Sequence, residues 1–211
     1  QVSCGFLLQA ARIVLLTCTS LLVAGCAAPP TIAPTRDVLS QTRPAMTAFT
    51  VTGRFSAKTG KEQASGQFRF SQTATQRSLS IFSPLGTPLA EITADGTGAV
   101  LALSNGSTQS ASSIAELLRN VIDLPVTDAQ LSMWLQGRPS VTLVAGARHE
   151  SDALGRLSRF SESSWEISVS DRFAASDANG NVADAPRRMR WALSSDLETE
   201  VRWIVDEWKS P

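Results

Sequence analysis

The sequence predicts a mostly β domain with a helical cover, and three observations carry that expectation. Apolar residues recur with period two over several short stretches, and turns bearing Gly, Pro or Asn separate them. One central segment then switches to helical spacing behind two capping signals, before period two returns.

The first element is not part of that domain. Arg12 precedes an apolar run over 13–23 that is too short for a stable bilayer span but suits the h-region of a secretory signal. Leu22-Val23-Ala24-Gly25-Cys26 closes the run. A Leu followed by two small residues and Cys reads as a lipoprotein signal, cleaved before Cys26, which then carries the acyl chains. An ordinary cleaved signal with an incidental cysteine is the competing reading. Gln1 is not a methionine, so the translation start is expected upstream. The expected organisation is a signal peptide over 1–25, a lipidated N-terminus and tether over 26–46, and a folded domain over 47–211. The tether follows from its Pro, Ala and Thr content, with a short helix expected around 37–41.

Cleavage changes the cysteine arithmetic. Cys4 and Cys18 are removed and Cys26 is taken by lipid, so the mature chain has no disulfide and folds on its core alone. Removing 25 of the 211 residues leaves 186, enough for one domain with a sizeable core. Loss of Arg12 takes the 19 basic residues to 18, against 19 acidic. A near-neutral chain gives no electrostatic case for nucleic acid.

The strands come next. Phe49, Val51, Gly53 and Phe55 alternate with polar neighbours, as do Gly66, Phe68 and Phe70, then Leu79 with Ile81, and Leu101 with Leu103. This describes antiparallel strands with one wet face. Turns are expected at Thr59-Gly60-Lys61, Ser83-Pro84-Leu85-Gly86, Ala94-Asp95-Gly96 and Ser104-Asn105-Gly106. Ser113-Ile114-Ala115-Glu116 opens a helix with Ile114, Leu117, Leu118 and Val121 on one face, ended by Pro125. Thr127-Asp128-Ala129-Gln130 opens a second, carrying Leu131, Trp134 and Leu135 and stopped by Gly137 and Pro139. Leu157 and then Trp165, Ile167 and Val169 form two strands about a turn near 162–164, and an exposed loop follows over 176–181. The last two strands carry Met189, Trp191 and Leu193, then Val201, Trp203 and Val205, with Ile204 and Trp208 on the opposite face.

The catalytic inventory is thin. His149 is the one histidine, in the polar Ala147-Arg148-His149-Glu150, whereas metal sites usually need several N or S ligands. There is no Gly-x-Ser-x-Gly elbow, and Gly96-Thr97-Gly98 lacks the rest of a nucleotide fingerprint. The expectation is no enzyme, no metal and no cofactor. Five tryptophans and no tyrosine favour large side chains without a hydroxyl to satisfy. Two readings stand: an ordinary core under two helices, or a concave apolar cavity for an apolar ligand. Leu85 stands in a Pro–Gly turn where polar residues are usual; it either packs inward or projects as an apolar tip that meets lipid.

Taken in order, several segments resemble the LolB family of outer-membrane lipoprotein receptors. They are Phe49-Thr50-Val51-Thr52-Gly53-Arg54-Phe55, Gly66-Gln67-Phe68-Arg69-Phe70-Ser71-Gln72, Ser83-Pro84-Leu85-Gly86 and Leu124-Pro125-Val126. Trp134-Leu135-Gln136-Gly137-Arg138-Pro139 and Trp203-Ile204-Val205-Asp206-Glu207-Trp208 continue the series. The resemblance covers residues 46–209 and is weakest over 171–186. It implies a single unclosed antiparallel β-barrel of about eleven strands with an apolar cavity capped by helices. It implies a monomeric receptor that accepts acylated lipoproteins from the periplasmic carrier LolA and inserts them into the outer membrane. Phe68, Phe70, Ile81, Trp191 and Trp203 are expected to line the acyl-chain cavity, and Leu85 to engage lipid. Ala27, in place of Asp after the lipidated Cys26, points to the outer membrane, with the domain facing the periplasm. The alternative is a structural or assembly lipoprotein using its sheet for protein contacts, which calls for an exposed apolar edge. A hydrolase would need a polar cluster around His149.

Overall fold

The computed structural model describes residues 45–143, 147–174, 182–195 and 199–210. The chain divides after Arg36, and its first unit, Gln1–Arg36, lies outside the described residues. So do Cys26, the short helix expected around 37–41 and the loop expected over 176–181.

Strands β1 (Phe49–Thr59), β2 (Glu62–Gln72), β3 (Arg77–Phe82), β4 (Pro88–Asp95), β5 (Gly98–Leu103) and β6 (Thr108–Ala111) form an antiparallel meander. Helices α1 (Ile114–Ile122) and α2 (Asp128–Leu135) follow. A second meander then runs through β7 (His149–Ser151), β8 (Leu157–Glu162), β9 (Trp165–Arg172), β10 (Pro186–Leu193) and β11 (Glu200–Lys209). Its last strand pairs with β1, giving one 11-stranded sheet of order β6-β5-β4-β3-β2-β1-β11-β10-β9-β8-β7. The edges β6 and β7 are unpaired with each other, so the sheet is unclosed, as expected. The helices carry the chain from one edge to the other across the face on which the core lies.

Period two places Val51, Phe68, Phe70, Leu79, Ile92, Leu101, Ile167, Met189, Trp191, Val201, Trp203 and Val205 in that core. Trp208 departs from the expectation. It belongs to the same buried face and stacks on Phe49, ring centroids 5.0 Å apart and planes within 8°. The cause is a β-bulge: Thr52 pairs with Glu207 but Gly53 with Val205, leaving Asp206 as the extra residue. One extra residue reverses the parity of the strand beyond it, which returns Trp208 to the inside. Gly53 permits it, because a Cβ there would lie 2.1 Å from the carbonyl oxygen of Ile204.

Both helices start where the capping signals place them. Thr127 and Gln130 make a reciprocal capping box, with bonds of 3.1 and 2.9 Å. Ser113 Oγ accepts from the Glu116 amide, but the Glu116 carboxylate turns back to the amide and hydroxyl of Ser112 instead of closing the box. Trp134 drives α2 into the sheet. Its ring lies 5.8 Å from Trp165 and 5.4 Å from Trp191, and Trp191 leads on to Trp203 at 5.0 Å. His149 opens edge strand β7, not the polar loop expected for it.

Candidate functional site: a half-open apolar cavity

Between α1 and the sheet lies a cavity of about 640 Å³. Its floor is Leu79, Ile81, Ala90, Ile92, Leu101 and Leu103 from β3–β5. Phe55 and Ala57 of β1 with Val201 and Trp203 of β11 form one wall, and Leu117, Leu118, Leu124 and Leu131 form the roof. These residues meet because each strand sends alternate side chains inward, while α1 turns its apolar stripe towards β4, β5 and β6. The exposed lining residues are Glu62, Gln63 and Ala64 of the β1–β2 hairpin and 119–123 at the end of α1. The cavity therefore opens between hairpin and helix.

Two further concavities, of about 430 and 610 Å³, are lined mainly by hydroxyl, amide, carboxylate and guanidinium groups with a few small side chains. Only the cavity under α1 among these three has the walls an apolar ligand needs.

The roof is held unequally. Buried Glu162 on β8 accepts from Trp134 Nε1 at 3.0 Å, from the Ser140 amide at 2.7 Å, from Gln130 Nε2 and from the Ser140 hydroxyl. Gln136 pairs its amide with both backbone groups of Met46, at 2.7 and 3.2 Å, and Ser132 donates to Gln72 at 2.7 Å. These bonds fix α2 and the start of the domain to the sheet. At α1, Asp128 Oδ1 accepts from the Ala115 amide at 2.8 Å, which ties the first turn. Among the described residues no side-chain hydrogen bond or ion pair joins 117–124 to the sheet.

The residues expected to line the site divide. Ile81 and Trp203 stand on the cavity surface. Phe68 lies behind Trp203, edge-on at 4.7 Å; Phe70 packs on Phe49 at 5.6 Å; Trp191 sits buried between Trp203 and Trp134. Aromatic size marked the core, whereas the space opens where the inner face carries alanine. Ala57, Ala64 and Ala90 are the signal that sequence reasoning passed over, together with Phe55 and the leucines of α1.

Leu85 projects outward and is 95% exposed. Its loop is tightly built: the Ser83 amide donates to the Thr87 carbonyl at 2.8 Å, and the Gly86 amide to the Ser83 carbonyl at 2.9 Å. Gln67 Nε2 clamps the Pro84 carbonyl at 3.0 Å, and Gly86 turns the chain at φ 86°. Strand pairing puts this loop at the end of the sheet that bears the β1–β2 hairpin and the mouth. Met46 and Phe49 lie at the opposite end.

His149 is exposed and its Nδ1 lies 3.0 Å from the Ala147 carbonyl. No metal-holding group of His, Cys, Asp and Glu occurs among the described residues, and none of their helices is long and apolar enough to cross a membrane.

A sequence model of the family described as "Outer membrane lipoprotein LolB" matches residues 47–208. The chain is similar to outer-membrane lipoprotein LolB of Cupriavidus necator, 31% identical over 88% of this chain and 90% of that one. Its similarity to the protein of the same name from Cupriavidus pinatubonensis is 29%, over 90% and 91%. Among solved structures it is similar to a LolA superfamily protein of Nitrosomonas europaea, with a TM-score of 0.51 at 10% identity, covering 83% of this chain and 91% of that one. That likeness concerns the fold alone.

Proposed function

The chain belongs to the LolB family of outer membrane lipoproteins, and from that membership we propose that it receives acylated lipoproteins from a LolA carrier, shelters their acyl chains in the cavity under α1 and delivers them to the outer membrane. The observation that supports this reading is the apolar, half-open cavity of about 640 Å³ at the same end of the sheet as the exposed Leu85. As a member of the family it is an outer-membrane lipoprotein facing the periplasm, and we assign its anchor to Cys26.

Transfer energetics give the mechanism. Each acyl methylene costs about 0.8 kcal/mol in water, so a free chain in solution is not a usable intermediate. The chain must pass from one apolar surface to the next. A receptor then needs only a somewhat better cavity than its donor, and the bilayer a better one still. No bond is made or broken, and we assign no catalytic residue. Trp203 and Ile81, with the α1 leucines, would contact the chain; Phe68, Phe70 and Trp191 would support that wall. Leu85 would enter the bilayer during delivery. The alternative use of the sheet for protein contacts has weaker support, because both edges are short and polar: Thr108-Gln109-Ser110-Ala111 and His149-Glu150-Ser151.

The test is binding of a fluorescent fatty acid to the purified protein. Saturable binding is expected, weakened by Trp203→Glu and by Leu118→Glu. Folded variants that bind like the parent would exclude the cavity as the site.

A further inference from the structure

Helical spacing puts Val121 on the face of α1 that carries Ile114, Leu117 and Leu118, yet Val121 is 47% exposed and its neighbour Ile122 44%. Ile114, Leu117 and Leu118 are buried. The sheet covers the first two turns of the stripe and leaves the third over the mouth. Both residues also line the cavity, beside Arg119, Asn120 and Asp123, and carry apolar surface from Leu117 and Leu118 out to solvent. Helix propensity does not explain them, because β-branched residues are indifferent helix formers. The facing lip is polar, with Glu62 and Gln63.

We propose that Val121 and Ile122 are the threshold across which an acyl chain slides between a lipid surface and the cavity. The inference rests on the reading of this cavity as an acyl-chain site. A chain in transit exposes methylenes to water over any gap between donor and cavity. Two apolar side chains at the mouth close part of that gap, lowering the barrier in both directions. They contribute little to the seated chain, which lies deeper among buried leucines. The pair therefore governs the rate of exchange and not the affinity. Among the described residues no side-chain bond joins 117–124 to the sheet, and the polypeptide is held again where Trp165 Nε1 donates to the Pro125 carbonyl at 3.2 Å, so any give as the acyl chain passes is confined to the end of α1.

The experiment uses the chain from residue 26 onward carrying Cys26→Ala, with a pyrene-labelled fatty acid presented in phosphatidylcholine vesicles. Substituting Val121→Ser and Ile122→Ser together should slow transfer to the protein about tenfold, since the apolar area lost at the mouth is that of two side chains. The equilibrium dissociation constant should stay within about twofold. Val100→Ser, which removes a side chain 44% exposed and outside the cavity, should change neither. Ile122→Ser alone should give an intermediate rate, and serves where the double variant melts lower. Unchanged rates in a folded double variant would overturn the proposal. So would rate and affinity falling together, which would make the pair wall residues. A parent protein that binds no probe would instead remove the cavity reading itself.

Discussion

The carboxylate of Glu162 accepts the indole N–H of Trp134 at 3.0 Å, joining the last turn of α2 to the end of β8 inside the core. The same carboxylate also takes the amide and hydroxyl of Ser140. One buried acid thus holds both the helix and the chain that leaves it. Replacing it with Ala leaves four donors, counting Gln130 Nε2, without their acceptor, and the expected loss is roughly 3 kcal/mol in urea unfolding. Trp134→Phe keeps the ring packing and removes one donor, so its loss should be smaller. Equal midpoints for Glu162→Ala and the parent protein would show that the acid does not hold the roof.

Gly53→Ala should be severe for a small change. Its Cβ would sit 2.1 Å from the Ile204 carbonyl oxygen, so β1 and β11 must part or the bulge at Asp206 must be lost. The expected cost is about 3 kcal/mol, with altered near-ultraviolet dichroism from Trp208. A melting temperature within a degree or so of the parent would contradict this.

Glu200 on β11 supplies a pH dependence. Burial alone would raise its pKa, but hydrogen bonds from Arg190 and Arg202, with their charges, outweigh burial and hold it below the ordinary 4.5. A depressed carboxylate stabilises the fold above its unfolded pKa, and that contribution is lost as pH falls through the folded value. Stability measured by urea should therefore fall on the acid side of 4.5, and Glu200→Gln should flatten that limb while leaving its slope near neutrality unchanged. An acid limb identical in both proteins would remove Glu200 from the account.

Leu85→Glu should separate loading from delivery. Burying a Leu in acyl chains is worth roughly 1.5–3 kcal/mol, and a carboxylate at the same tip makes that step unfavourable. Because the side chain is 95% exposed, the melting temperature should not change. Uptake from the carrier should persist while transfer to liposomes falls. A loss of uptake equal to the loss of delivery would refute the division of labour.

Cys26→Ala, exported behind an ordinary cleavable signal in place of residues 1–25 so that the apolar run over 13–23 is not retained, should abolish the membrane fraction, because the anchor chains we assign are gone, and leave lipoprotein uptake intact. Protein that stays bound through salt and carbonate washing would rule out Cys26 as the anchor.

Much of the fold was legible because it depends on local pattern. Period two in Phe68 and Phe70 reports a strand and its inner face, and Thr127 with Gln130 reports a helix start, since both signals act between near neighbours. Trp208 was misplaced because a bulge depends on how Gly53 meets Ile204, and no periodicity within β11 encodes the approach of another strand. Glu162 reads in sequence as one more polar residue near a turn, and its partner Trp134 lies 28 residues away. Val121 shows the limit most clearly. Helical spacing gives its face, but only the assembled sheet shows that it stands half-exposed at the mouth of the cavity. The same holds for the cavity, whose position depends on where small inner-face residues coincide on neighbouring strands.

Met46 and Leu85 occupy opposite ends of the sheet, and this sets a mooring problem. The long strand β1 spans about 36 Å, and residues 26–45 have a contour of at most about 72 Å. On the reading that Cys26 carries the anchor, a chain of that contour is long enough to run back past the domain and still let Leu85 touch the same leaflet. Cut to fewer than about ten residues, it could not reach, and the domain would stand with its mouth turned away from the membrane it serves. On that reading, the slack in the line decides which way the vessel can face.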